Sequence, residues 1–222
     1  MKLWTYTYQI LKKDLISEIR NRYVINSLLM FVIVIISIIR FSIGNETVSK
    51  EVLAGLLWIA VFFSASSGLA RVFIKEEEKE TSLALKLSAG SSEIFLGKLL
   101  FNFALTFALN FVIVILFILI TGLQIIDTGG FIIILLLGNT GLVAASTIIA
   151  AIISKANSKG TLYPVLSFPV LLPLLLSVIN GTKLSVSGAD FSELLPDIQI
   201  LISYAVVVIT VSLLVFRFIW ED

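Results

Sequence analysis

The chain has 222 residues, of which 58% are hydrophobic and 14% charged, and a mean hydropathy of +1.07; soluble domains use roughly 45–50% apolar residues, so it needs an apolar solvent around it. Zero His and zero Cys exclude imidazole or thiolate ligation of haem or zinc, disulfides, thiolate catalysis and histidine proton relays, and a net charge of +1 argues for no nucleic-acid partner. The few charges are unevenly placed and cut the chain into long neutral windows.

At the start, Trp4, Tyr8, Leu11, Leu15 and Ile19 recur at spacings of four, three, four and four, which places them on one helical face. Lys12, Lys13, Glu18 and Arg20 lie mostly away from that face. The pattern predicts an amphipathic helix over residues 1–22, lying on the cytoplasmic membrane surface. Neutral windows follow at 23–39, 52–70, 99–126, 128–154, 160–182 and 198–216. A helix needs about 20 apolar residues to cross the hydrocarbon core, and lipid offers the backbone no partner, so helices are the expected form. The windows predict an all-α membrane protein whose domain over 23–222 has six spans, at about 23–43, 52–72, 97–122, 130–154, 161–180 and 198–218. Residues 30–36 and 111–120 do not alternate polar with apolar, as a β-barrel would require. The first window is too long for the core of a signal peptide and is expected to stay as an anchor.

Lys and Arg are retained on the cytoplasmic side of short loops. The N-terminal segment carries Lys2, Lys12, Lys13, Arg20 and Arg22; the second loop carries Arg71, Lys75, Lys79, Lys86 and Lys98. Lys155, Lys159 and Arg217 fall on the same side, and only Arg40, Lys50 and Lys183 fall on the other. Both termini are therefore expected in the cytoplasm.

The second loop, 71–98, is the most charged connection. Its acidic run includes Glu76, Glu77 and Glu78, and Leu83 and Leu87 stand four apart in a segment expected to form a short helix parallel to the membrane. Ser91-Ser92-Glu93 resembles a cap leading into the third span. A soluble partner is expected to dock on this loop. Gly90 and Gly97-Lys98 mimic a phosphate loop, but the spacing is wrong and Leu99 stands where Ser or Thr is needed.

In the fourth span, Gly138, Gly141 and Ala145 provide small residues for close helix approach. Asn26, Asn102, Asn110 and Asn139 are expected to bond between helices. The fifth span holds Pro164, Pro169 and Pro173, which predict a kinked or broken helix. After it, Asn180-Gly181 and Gly188 read as turn signals, with a short interfacial helix expected around 189–195. No Asp, Glu or Lys falls mid-span, and no span carries paired carboxylates or a Ser/His set, which disfavours ion coupling and intramembrane catalysis. A membrane subunit driven by a separate ATPase accounts best for these features.

Several motifs, in order along nearly the whole chain, resemble the haem exporter protein B family. They are Lys13-Asp14-Leu15-x-x-Glu18-x-Arg20-x-Arg22-x-x-x-Asn26 and Gly55-Leu56-Leu57-Trp58, then Phe73, Glu76 to Glu78, Thr81 and Phe95-Leu96-Gly97-Lys98-Leu99-Leu100. Leu137-Gly138-x-x-Gly141 and Leu162-Tyr163-Pro164-x-x-x-Phe168-Pro169-x-x-x-Pro173 continue the series. The chain departs from the family at Glu80, where a Gly is usual, and at Ala89-Gly90, where a Pro is usual.

The resemblance implies an ABC-2 type permease in the bacterial inner membrane, working in cytochrome c maturation. Its partners would be a cytoplasmic ATPase, other maturation membrane subunits and, indirectly, a periplasmic haem chaperone. Phe73, Glu76, Glu77, Glu78, Thr81, Leu83, Leu87 and Lys98 would form the ATPase-coupling loop. Haem would be the species handled, with no cofactor bound by this chain. A permease exporting lipid, polysaccharide or drug, or a scaffold without transport, are the alternatives.

Overall fold

The computed structural model describes residues 2–44, 46, 48–69, 72–74, 76, 81–155 and 162–221. Among them run eight helices and no strand: α1 Lys2–Arg20, α2 Arg22–Ile43, α3 Lys50–Leu69, α4 Ser82–Ser88, α5 Ser91–Thr121, α6 Thr128–Ser154, α7 Leu162–Ser187 and α8 Phe191–Glu221. All except α1 and α4 are long and apolar enough to cross a membrane, which makes this an all-α, multi-pass membrane protein.

Helix α6 is the centre of the bundle. Its most apolar window is 61% buried, more than that of any other span, and it packs against α3, α5, α7 and α8. Asp127 starts it by accepting a hydrogen bond from the Gly130 N–H at 3.0 Å. Small residues let the neighbours in: Trp58 and Val178 close on Gly138, Leu174 and Tyr204 close on Gly141, and Ala145 is fully buried. Trp58 is held there, because its indole N–H donates to Thr182 Oγ1 at 2.8 Å. Gly138→Ala is expected to destabilise the protein by about 1–3 kcal/mol, the usual effect of overpacking a filled site. Gly55→Ala, where an added Cβ meets nothing within 4 Å, should leave thermal unfolding unchanged or slightly raised. Equal melting temperatures for the two variants in detergent would refute this packing role.

Several sequence expectations shift at helix ends. Asn180-Gly181 is not a turn: α7 continues to Ser187, and the reversal falls at Gly188, with φ of +74°. The pair is absorbed into packing instead, Asn180 donating to Asp197 Oδ2 at 2.7 Å while Gly181 lies against Ile134. The short helix expected around 189–195 is the first part of α8, which runs unbroken through Pro196. Helix α5 starts at Ser91 behind an N-cap at Gly90, so Ser91 is already helical and is not the cap. Nor do prolines break α7, which passes through both Pro169 and Pro173. Both face outward, while Leu171 and Leu174 on the opposite side hold the helix to the core. Pro164 stands in the first turn of α7, and its side chain lies outside the described residues.

Helix α1 forms as its spacing predicts, but the face packed on the bundle is a different one. Thr7, Ile10, Asp14 and Glu18 are buried, whereas Trp4, Tyr8 and Ile19 are 63–71% exposed. The helix lies along α5, with Ile10 against Gly97. Leu11 and Leu15 of the apolar stripe are half-buried against the same core, so only its Trp4, Tyr8 and Ile19 edge is left free to meet lipid.

Candidate functional site

The segment between α3 and α5 is built from two layers, and the inner one is ionic. Lys98, in the second turn of α5, is 2% exposed and reaches Glu76 Oε1 at 2.7 Å and Asp14 Oδ2 at 2.9 Å. The first contact is a hydrogen bond; the second is an ion contact without hydrogen-bond alignment. Lys13 closes the group, 2.8 Å from Glu76 Oε1 and 3.4 Å from Asp14 Oδ1, and Thr81 Oγ1 donates to Glu76 Oε2 at 2.6 Å. Among the described residues, two ammonium groups face two carboxylates, which balance in charge. The cluster ties α1, the loop and α5 together at one point.

Burial by itself would push the Glu76 carboxyl up, but Lys98 and the hydrogen bonds from Lys13, Lys98 and Thr81 outweigh it and hold the group at about 2. Burial likewise works against the Lys13 ammonium, yet Glu76 and Asp14 raise its pKa above 10.5. A carboxylate with a depressed pKa stabilises fully above its unfolded value of 4.5 and loses that contribution as pH falls toward 2. A lysine with a raised pKa stabilises fully below 10.5 and loses its contribution above it. The gap in melting temperature between the wild type and Glu76→Gln is therefore expected to stay constant from about pH 5 to about pH 9 and to narrow below that range. A gap that changes through neutrality would show that this cluster does not set it.

Around the ions lies an aromatic layer. Phe73 is fully buried, 5.4 Å from the Phe216 ring and 5.7 Å from the Trp220 ring of α8, and Phe95 meets Phe216 at 5.1 Å. Helix α4 rests on this layer through Leu85, which is 7% exposed. Its other side points away: Leu83 and Leu87 are 66% and 82% exposed.

The residues singled out from sequence thus separate into two groups. Phe73, Glu76 and Lys98 face inward and hold the loop, Thr81 is their partner, and Leu83 and Leu87 face outward. Glu77 and Glu78 lie outside the described residues. Glu76 is consequently no surface charge. The sequence did not pair Lys13, Asp14 and Lys98, although an Asp one turn beyond Ile10 on the same stripe was a usable signal.

Polar residues inside the bundle bond between helices. Asn102 donates to Thr147 at 2.8 Å and Asn110 to Asn139 at 2.9 Å, both from α5 to α6. Asn26 instead faces outward. The Tyr204 hydroxyl donates to the Val170 carbonyl at 2.9 Å, tying α8 to the proline segment of α7.

The family model described as CcmB protein matches residues 5–218. The chain belongs to the CcmB protein family. Membership makes this CcmB chain a membrane permease component of the ABC-type haem exporter system of cytochrome c maturation, distinct from the ATPase of that system. Such systems imply an ATPase and other maturation proteins as partners of a CcmB chain. No individual curated protein matches it.

Proposed function

We propose that this chain couples ATP hydrolysis by a separate cytoplasmic ATPase to haem export, or to release of the haem-loaded periplasmic chaperone, with the α3–α5 segment as the coupling element. The observation that carries this reading is the two-sided build of α4. Its outward Leu83 and Leu87 offer an apolar anchor for a soluble subunit, while Leu85, Phe73 and the ion cluster fix its inner side to α1, α5 and α8. A push on α4 is therefore delivered to three helices at once. Haem is the species handled, and its iron takes its ligands mainly from partner subunits, because this chain has neither His nor Cys and offers only Met and Tyr as axial ligands.

ATPase turnover of the assembled complex in bilayers, with and without this chain, tests the coupling. Unchanged turnover on its removal, with the other subunits still assembled, would reduce it to a scaffold. A haem stain of cells lacking the chain tests the cargo: c-type cytochromes at normal levels would leave an ABC permease exporting something else.

The proposal places the protein in the bacterial inner membrane with both termini in the cytoplasm, as the distribution of Lys and Arg supports. Single cysteines at the exposed positions Glu46 and Asp190 should label with an impermeant reagent from outside. Cysteines at the exposed Lys12 and Ser88 should label only after permeabilisation. The reverse pattern would invert the topology.

A further inference from the structure

The polar contacts between α5 and α6 are only half made. Asn102 Nδ2 donates to Thr147 Oγ1 at 2.8 Å and Asn110 Nδ2 to Asn139 Oδ1 at 2.9 Å, so the helices run antiparallel and both pairs share one register. Thr147 gives its own proton to the Val143 carbonyl, which leaves its oxygen as an acceptor and fixes Asn102 Nδ2 as the group facing it. Four more atoms are buried without a hydrogen-bond partner among the described residues: Asn102 Oδ1 and Asn110 Oδ1 on α5, and Asn139 Nδ2 and Ser146 Oγ on α6. The α5 atoms are acceptors and the α6 groups carry protons. Each helix thus holds what the other lacks, inside the bundle, where an unpaired polar group is costly.

Helix geometry puts Ser146 and Asn102 side by side. Ser146 is 1% exposed and precedes Thr147, so it stands at the depth of Asn102. At about 100° per residue it lies about 20° around α6 from Asn139, on the side of Gly138. Trp58 of α3 closes on that glycine. Around α5, Asn102 lies between the directions of Asn110 and Leu105, and Leu105 sits against Gly68 of α3. Both side chains are therefore on the α3 flank of the contact, at one level.

We propose that α5 has a second seat on α6, reached by a roll that closes the α3 flank, in which Ser146 donates to Asn102 Oδ1 and Asn110 and Asn139 face each other as a reciprocal amide pair. No bond of the present seat is given up, because each amide has a donor arm and an acceptor arm. The present seat is held from the start of α5, where Lys98, one turn before Asn102, is fixed by Asp14 and Glu76. Hydrogen bonds favour one seat and the ion cluster the other, which makes α5 a two-state element; shifts of about 1–2 Å between packed helices suffice for such switching. A push on α4 reaches α5 through that cluster, so the ATPase selects the second seat. That use of the seat rests on the coupling reading above, whereas the seat itself does not.

Ser146→Ala separates the two seats. Its hydroxyl bonds nothing in the present seat, so the melting temperature of the full chain should equal or exceed that of the wild type. Maturation of c-type cytochromes should fall about two- to tenfold, the population shift that one lost hydrogen bond produces. Thr147→Val, which removes a bond already made, should instead lower the melting temperature. A lower melting temperature for Ser146→Ala would put its hydroxyl in a bond of the present seat, through a buried water for instance, and overturn the proposal; normal maturation by that variant would also overturn it. Because the chain has no Cys, Asn102→Cys with Ser146→Cys reports the seat directly, as a disulfide needs Cβ atoms about 3.5–4.5 Å apart. In the full chain alone, neutralising the ion cluster with Lys98→Met, Asp14→Asn and Glu76→Gln should speed oxidative linking of the two thiols, and an unchanged rate would overturn the second seat. In the assembled complex, ATP should speed the same linking. If the cluster variant links faster but ATP has no effect, the second seat stands and the coupling reading fails.

Discussion

Lys98→Met is expected to destabilise the protein by about 3–5 kcal/mol, the cost of removing one partner from a buried ion pair. Lys98 is almost fully buried and contacts both carboxylates of its cluster. Without it, Asp14 and Glu76 retain only Lys13, whose side chain is 48% exposed and faces both already. One half-exposed ammonium would then face two largely buried carboxylates. The expected result is a marked fall in melting temperature, with α1 released from α5 and open to proteolysis. Neutralising the whole group, by adding Asp14→Asn and Glu76→Gln to Lys98→Met, should recover much of the loss, since a buried ion cluster adds little over well-packed neutral groups. If Lys98→Met melts no earlier than a surface change such as Glu46→Gln, the cluster does not hold the loop.

Leu83→Asp combined with Leu87→Asp is expected to act on function without acting on the fold. Both side chains point outward from α4, so placing carboxylates there buries no charge in the free subunit. At an interface the same carboxylates would be desolvated without partners, and anchors of this kind dominate association energies, often by 2 kcal/mol or more apiece. Maturation of c-type cytochromes should therefore fall to background, while the melting temperature stays near that of the wild type. Leu85→Asp is the contrast: Leu85 is buried beneath α4, and its replacement should lower stability as well as function. A double variant that matures cytochromes normally would deny α4 the anchoring role.

The spans were legible because hydrocarbon imposes one simple requirement, a long stretch without charge. Helices α3 and α6 fall close to their neutral windows for that reason, whereas α5 starts at Ser91, well before its window, and carries Lys98 inside it. Ends were less legible, because turn residues are read locally and used globally. Asn180-Gly181 carries a strong turn signal, yet an amide paired with Asp197 and a glycine fitted against Ile134 keep α7 helical through it.

That Leu83 and Leu87 share one face of α4 followed from their spacing, whereas the ion cluster did not. Its members sit at positions 13, 14, 76 and 98 on three different elements, and nothing local distinguishes Glu76 from the glutamates beside it. Helix α1 shows the same limit. Its apolar stripe of Trp4, Tyr8, Leu11, Leu15 and Ile19 is plain in the sequence, but the bundle packs chiefly on Thr7, Ile10 and Asp14 and takes in only Leu11 and Leu15 of that stripe, because Lys98 and Gly97 provide a partner and a gap that only the fold brings into place.

The most direct test of the coupling element is co-purification of the ATPase subunit with the Leu83→Asp, Leu87→Asp variant at low and high salt, beside wild type and the outer-loop variant Asp190→Lys, Glu193→Lys. Apolar anchors respond little to ionic strength, so the account predicts loss of the ATPase from the α4 variant at both salt concentrations and full retention by the other two proteins. Full retention of the ATPase by the folded α4 variant would contradict it and move the docking surface elsewhere on the chain.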